Sequence, residues 1–540
     1  MGGNSMKSFA LRTLTAFFAG LCLASASSLK PGVPSQSEWV KAGSDGKLTY
    51  KTTDRGDRII DFSHAGYMGG GVEIPTAPVQ RRVEPSGTDD DTAQIQKAID
   101  EVAKLEPDMG LRGAILLAPG TFHCARPITI ATSGIVLRGS GSGVGNGSKT
   151  ILKLSGRPHP AIVARIDRSG GRSGANRGER GNAGEATGTR TELSAVYVPA
   201  GSRTFAVANA AGFATGDVIE IRRPVTAAWI HFLQMHDLVR DGRPQTWMRT
   251  DRLTTMERRI ISVSGNNFTV DVPLTDSFDA KYLNPPGTAV VKVGEGERLA
   301  QVGIEHLSIE SPPQTTNHSQ PHFSAIRMNG VDCWVRHVVC EETMNSVTVS
   351  GRRITLQHVA VHRKARHEGS SKPAEFGANA SQLLLDRCTG SGDNIWYAAS
   401  GSGVTGPIVL LNCAFQGNGR IESHQRWSTG MLYDNCRVPN GGIDFRNRGS
   451  MGSGHGWTMG WGVAWNCEAR DYVIQNPPGA INWMIGCIGE SKLMPRPFGT
   501  EPKLAEGTKD SHGTPVSPQS LYLTQLRERL GPAALKNIGY

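Results

Sequence analysis

The sequence predicts an all-β chain: a right-handed parallel β-helix with an N-terminal capping helix and an inserted β-rich subdomain. Three observations carry that reading. Five short apolar phrases end in cysteine, "LLLDRC" (Cys388), "IVLLNC" (Cys413), "MLYDNC" (Cys436), "VAWNC" (Cys467) and "WMIGC" (Cys487), at steps of 25, 23, 31 and 20 residues. That is the repeat length of a solenoid coil. Earlier phrases put an aliphatic side chain in the same place, Leu307, Val338 and Val359. A position alternating among Leu, Val and Cys is an inward one filled by small hydrophobes, so a buried thiol stack is expected, with occasional disulfides as the alternative. No long helical pattern interrupts Val302 to Ile488, which excludes helical repeats and leaves stacked parallel strands.

The elements follow in chain order. Residues 1–26 combine Lys7 and Arg12, an apolar run from Leu14 to Ala24 and the small triplet Ala24-Ser25-Ala26. These are the three parts of a secretory signal peptide. The run is too short to span a bilayer and no later run is long enough, so the expectation is a secreted protein, extracellular or periplasmic, without a membrane span. An N-terminal extension fills 27–82. Residues 83–168 hold the cap and first coils: in "VEPSGTDDDTAQIQKAIDEVAK", aspartates precede a helix with Ile95, Ile99 and Val102 on one face, as an end cap requires. The Gly/Arg-rich stretch 169–190 reads as a flexible loop. Residues 191–293 alternate strands and turns and form the inserted subdomain; its His231 and His236 lack convincing metal spacing and, with Trp229 and Trp247, are expected to pack. The main coils occupy 294–490, with Asn412, Asn435 and Asn466 one place before the cysteines as a turn ladder. A Pro-rich tail and an amphipathic helix end the chain over 491–540.

The opening "GTDDDTAQIQKAI … ILLAPGTF … GIVLRGSG" resembles the pectin lyase-like superfamily, specifically its pectate-lyase-3 type. The resemblance covers Val83 to Gly143 closely and the coils to Ile488 in pattern. It implies the β-helix and leaves the chemistry open, because the superfamily includes lyases, hydrolases and phage tailspikes.

Formal net charge is +10, or +8 once residues 1–26 are removed. A basic surface favours acidic partners, and outside the cell an anionic polysaccharide rather than nucleic acid. A monomer is expected. One stretch concentrates the chemistry: "GRIESHQRWSTGMLYDNCRVPNGGIDFRNRGSMGSGHGW". If Ile395, Ile421 and Ile443 form one inward column, strand alternation turns Trp396, Glu422 and Asp444 outward. Tyr397, Ser423 and Phe445 then point in, and Ala398, His424 and Arg446 point out. Glu422, Asp444, His424 and Arg446 would form an exposed polar square beside Trp396. Arg426, Arg448 and His455 supply further cations or imidazole, Lys364 and Arg366 converge from the preceding coil, and Trp396, Trp427 and Trp457 are expected to stack on sugar faces. Outward Glu–Arg pairs also stabilise sheets with no catalysis, so the weight rests on the whole array.

Two chemistries fit. A polysaccharide lyase removes the proton α to a uronate carboxylate and expels the 4-linked oxygen; it needs a base, cationic stabilisation and a proton donor. His424 suits base or acid, Arg446 and Arg426 suit neutralisation, and Lys364 is an alternative base if neighbouring cations lower its pKa. Pectate lyases often use calcium for neutralisation; no aspartate column marks a ligand cluster here, so no cofactor is required and the cations would replace it. A glycoside hydrolase would instead pair Glu422 with Asp444. The "GHG" at His455 is similar to the Gly-His-Gly of polygalacturonases, but their paired aspartates are missing: "SGDNIW" carries Asp393 alone. A non-catalytic carbohydrate-binding β-helix is the third reading. The lyase on an acidic polysaccharide is the one expected.

Overall fold

The computed structural model describes residues 35–143, 148–166, 188–294, 296–315, 317, 319–499 and 504–540. The signal-peptide reading and most of the 169–190 loop lie outside the described residues. Ser35–Tyr540 forms one compact unit.

Its frame is a right-handed parallel β-helix, a 25-stranded sheet in which successive coils pair in parallel. Strand Gly303–Glu310 pairs with Ser324–Glu341, which pairs with Val347–Gln357 and that with Ala374–Asp386. The repeated apolar position makes this register obligatory, since a slip by one residue would turn each buried row to solvent. Leu307 lies beside Val338, and the neighbouring pairs continue the column through Val359, Cys388, Cys413, Cys436, Cys467 and Cys487. All eight side chains are buried, and the cysteines are free thiols. The thiol stack is therefore the form adopted.

The residue before that column takes a left-handed turn in coil after coil: His306 (φ 58°), His337 (52°), His358 (51°), Arg387 (52°), Asn412 (51°), Asn435 (53°) and Asn466 (49°). Asn and His tolerate this conformation better than most side chains. The asparagines do not bond one another along the ladder. Asn412 Nδ2 donates to Tyr540 Oη (2.8 Å) and Asn466 Nδ2 to the Val516 carbonyl (2.9 Å), tying the C-terminal tail to the coils.

Helix Thr92–Val102 closes the N-terminal end with Ile95, Ile99 and Val102 buried. Asp90 Oδ1 accepts from the Thr92 N–H (3.0 Å), while Asp91 is spent on the Ser86 and His123 N–H groups (both 2.8 Å). The last helices, Leu521–Leu530 and Pro532–Asn537, pack Leu521, Tyr522, Leu526 and Leu535 against the coils. Between the early and main coils, six strands from Arg190 to Lys292 form a separate antiparallel sheet. This insertion presses Trp229 and Trp247 onto Trp427 of the solenoid (5.2 and 6.2 Å between ring centroids).

Candidate functional site

One outer face of the helix forms an open groove of roughly 770 Å³. Its floor follows a column in strict register, Val163, Arg327, Thr348, Gly377 and Ala399, which continues beyond the groove lining as the buried Glu422 and Asp444. Two residues on, Asn329, Ser350 and Asn379 make a parallel polar row, and Asn379 Oδ1 accepts from the Gly401 N–H (2.7 Å). Thr348, Gly377 and Ala399 are small, so the trough stays open between Arg327 and the head at His424. The groove is lined by Arg165, Arg327, Lys372, His322 and His424 among other residues and, among the described residues, by no carboxylate.

The head is built on strand Arg420–Ser423 and the turn after it. Glu422 is buried at the floor. Its Oε1 accepts from Arg448 Nη1 (2.6 Å) and contacts His424 Nδ1, which itself lies 2.6 Å from Arg448 Nη1. An ionised carboxylate only accepts, so the imidazole turns its Nδ1–H to Glu422 and keeps Nε2, 3.3 Å from Arg448 Nη1, as its basic nitrogen; the approach of Arg448 to Nδ1 is then a contact between two donors and not a hydrogen bond. Burial alone would raise the Glu422 pKa, but the charges of Arg448 and His424 override it and hold the carboxyl below its usual range. Trp396 is edge-on to His424 (5.6 Å), with Arg448 and Lys372 against its ring at 5.2 and 4.8 Å. Partial burial lowers the Lys372 pKa; Glu422 opposes that shift, and Arg420 and Arg448 add to it. His455 stands 4.8 Å from His424, and burial with the charges of His424 and Arg448 lowers its pKa to about 2, so it stays neutral.

Arg448 and His455 arrive on the glycine loop, whose ends are pinned by the Arg448 N–H to Gly456 carbonyl bond (2.8 Å). The insertion clamps that loop: Trp247 Nε1 donates to the Trp457 carbonyl (3.2 Å) and Trp457 Nε1 to the Leu233 carbonyl (3.1 Å). Gly456 has φ 54°, and a Cβ there would meet the Trp247 ring at 2.3 Å.

Several sequence expectations are corrected. The polar square is not exposed: Glu422 and Asp444 are each 2% accessible. Asp444 is held by Arg420 (2.8 and 2.6 Å), which also reaches Asp471 (2.7 Å). Trp396 does not stand beside Glu422. A bulge at Tyr397 pairs Trp396 with Arg420 and Ala398 with Ile421, so Ala399 is the outward neighbour of Glu422 and Ile395 leaves the expected column. Trp427 and Trp457 are 2% and 3% accessible, buried under the insertion rather than open to sugar; Trp427 Nε1 donates to Asp276 Oδ2 (2.8 Å). Arg426 is turned to Ser453 and Gln425. Arg446 follows Asp444 as His424 follows Glu422, and its charge acts on Glu422. Lys364 and Arg366 are exposed on a loop outside the groove lining.

The same loop contributes Lys372 instead. Its signal in the sequence was position, one residue before the Pro373 that opens strand Ala374–Asp386. Arg327 was legible only as an outward residue of a regular strand. Among the described residues no group of three or more His, Cys, Asp and Glu side chains is placed to hold a metal ion. Glu422 and Asp444 are already held by arginines, so they do not fit a calcium pair.

No family model matches the chain, and a search of curated proteins finds no relative. Solved structures give distant likenesses. The tailspike gp49 of Pseudomonas phage LKA1 is 15% identical, TM-score 0.27, over 75% of this chain and 56% of that one. The Gp54 tailspike of Acinetobacter baumannii bacteriophage AP22, solved with a capsular saccharide, is 12% identical, TM-score 0.35, over 75% and 62%. The mannuronan C-5 epimerase A-module of Azotobacter vinelandii is 10% identical, TM-score 0.24, over 85% and 98%. The chain thus spans less than two thirds of either tailspike. The fold assignment rests on the rungs of this chain itself.

Proposed function

We propose that the protein degrades polysaccharide, as a lyase cleaving an acidic, uronate-containing chain by β-elimination. The observation that carries this reading is the groove: among the described residues arginine, lysine and histidine line it and no carboxylate does, and it ends at a histidine oriented by a buried glutamate. A polyanion is the polymer such a trough attracts.

The chemistry follows from the head. His424 Nε2 takes the proton from the carbon α to the uronate carboxylate. Lys372, as ammonium, neutralises the enediolate that forms, an electrostatic contribution strengthened by its partly dry setting. The bond to the 4-linked oxygen breaks as the carbon–carbon double bond forms. His424, now protonated on the same face, returns a proton to the leaving oxygen. Glu422 fixes the ring, and Arg448 keeps Glu422 ionised.

The hydrolase reading loses support from the same geometry. A glycosidase acid must be protonated and reach the glycosidic oxygen. Glu422 is held ionised and Asp444 is buried against Arg420. The leader-like 1–26 supports export, which N-terminal sequencing of the mature protein would check. For the activity, a panel of uronate polymers is digested and ultraviolet absorbance of the unsaturated product is followed. Absorbance is expected; reducing ends without it would mean hydrolysis, and neither would leave a binding protein.

A further inference from the structure

The chemistry sits at one end of the groove, yet the groove continues. From Glu422 the floor column runs back through Ala399, Gly377 and Thr348 to Arg327, four rungs in register, which at about 4.8 Å per rung is about 19 Å. Arg327 is partly exposed at that far end, with Arg165 just beyond the strand paired to it. His322 Nε2 lies 3.1 Å from Asn345 Nδ2, and Asn345 Oδ1 accepts from the Ala374 N–H (2.9 Å). This bond chain fixes the wall between the two ends. Nothing on the intervening floor is larger than threonine, and the row beside it, Ser350 and Asn379, offers hydroxyl and amide groups suited to sugar hydroxyls. Among the described residues the trough therefore has two cationic ends joined by a smooth, polar run that no carboxylate lines.

The geometry points to a distal subsite in which Arg327, assisted by Arg165, grips an anionic group of the same polymer whose bond is broken at His424. This rests on the polyanion reading of the groove and adds a length requirement to it. Guanidinium presents a planar fork matched to oxyanions, so the group is a carboxylate of a uronate or a sulfate ester. No single sugar ring bridges the two ends, so the contact is made by long chains and lost by short ones. Binding energy from the remote subsite holds the polymer across the head and makes cleavage internal to the chain.

The test is equilibrium binding to the full chain carrying His424→Ala, which removes turnover from the measurement. Polygalacturonate, dextran sulfate, neutral dextran and a uronate disaccharide are the probes. Adding Arg327→Ala should weaken polyanion binding about tenfold, the scale of one charge-assisted contact, and flatten its salt dependence. Disaccharide binding should not change. Arg327→Lys should recover part of the loss, because it keeps the charge and not the fork. Preference between the carboxylated and sulfated polymers identifies the anion. Equal polymer affinity with and without Arg327 would overturn the distal subsite and leave the proposed function standing. Absence of binding to either polyanion, or equal binding to neutral dextran, would overturn both.

Discussion

His424 and His455 at the groove head, and His306, His337 and His358 along the left-handed turns, are two sets of imidazoles held a rung apart. Ring centroids are 4.8 Å apart in the first, and 4.8 and 4.9 Å in the second. Arginines flank both. In the ladder the rings lie nearly parallel, at 16° and 12°, and among the described residues no carboxylate hydrogen-bonds them. Burial, then the neighbouring rings and Arg336, lowers the His337 pKa to about 4. At the head the rings are crossed at 61° and Glu422 takes one nitrogen of His424, whose side chain lines an open trough. Equal composition thus yields a structural stack in one place and a candidate base in the other. Orientation by a carboxylate and access to a ligand make the difference.

The largest effect that separates the regions is expected at His424. His424→Ala should lower turnover about 10²–10⁴-fold, the range for a lost acid–base group, with the circular dichroism spectrum unchanged. Wild-type turnover in a folded variant would end the comparison. Next comes Lys372→Ala, at about 10²–10³-fold in kcat for one lost electrostatic stabiliser. Because Lys372 acts as a cation and burial lowers its pKa, activity should fall as pH rises through a value below the ordinary lysine range. Lys372→Arg should move that limb to higher pH; an unmoved limb would assign it to another group.

The buried carboxylates sharpen the contrast further. Glu422→Gln leaves Arg448 buried without its anion, and breaking such a pair costs about 3–5 kcal/mol, measurable by denaturant unfolding alongside reduced turnover. Asp444→Asn should keep most activity, since Arg420 retains Asp471. Loss of all activity on Asp444→Asn would restore the paired-carboxylate hydrolase.

The smallest effect belongs to the ladder. The folded His337 rejects a proton that the unfolded chain accepts at its ordinary value of 6.5. Its contribution to stability is therefore present above that pH and is lost as pH falls towards about 4. His337→Gln should flatten the decline of Tm over this window and leave turnover unaltered. Identical Tm curves, or lost turnover, would mean the ladder is not the passive stack described.

The coil frame, the cysteine column and the N-terminal cap were legible because they depend on local regularities. Strand alternation has a period of two, and one small apolar residue per coil marks the inward column whatever the rest of the chain does. Ile421 and Ile443, Glu422 and Asp444 fell into register for that reason. What the sequence could not determine was the fate of side chains whose surroundings come from far away. Trp427 and Trp457 read as sugar platforms until the insertion, some two hundred residues earlier, covers them with Trp229, Trp247 and Leu233. Tyr397 does stack inward on Phe415 (5.0 Å), but the bulge there shifts Trp396 by one pairing, which the alternation pattern does not show. Arg448, read as a flanking cation, becomes central because the clamped glycine loop folds back over Glu422. Lys372, rather than Lys364, reaches the groove because the loop returns to the sheet at that end. Alternation along a strand is a property of the backbone, written in every pair of residues; loop closure and the docking of an insertion are packing events between distant segments, and only the tertiary structure decides them.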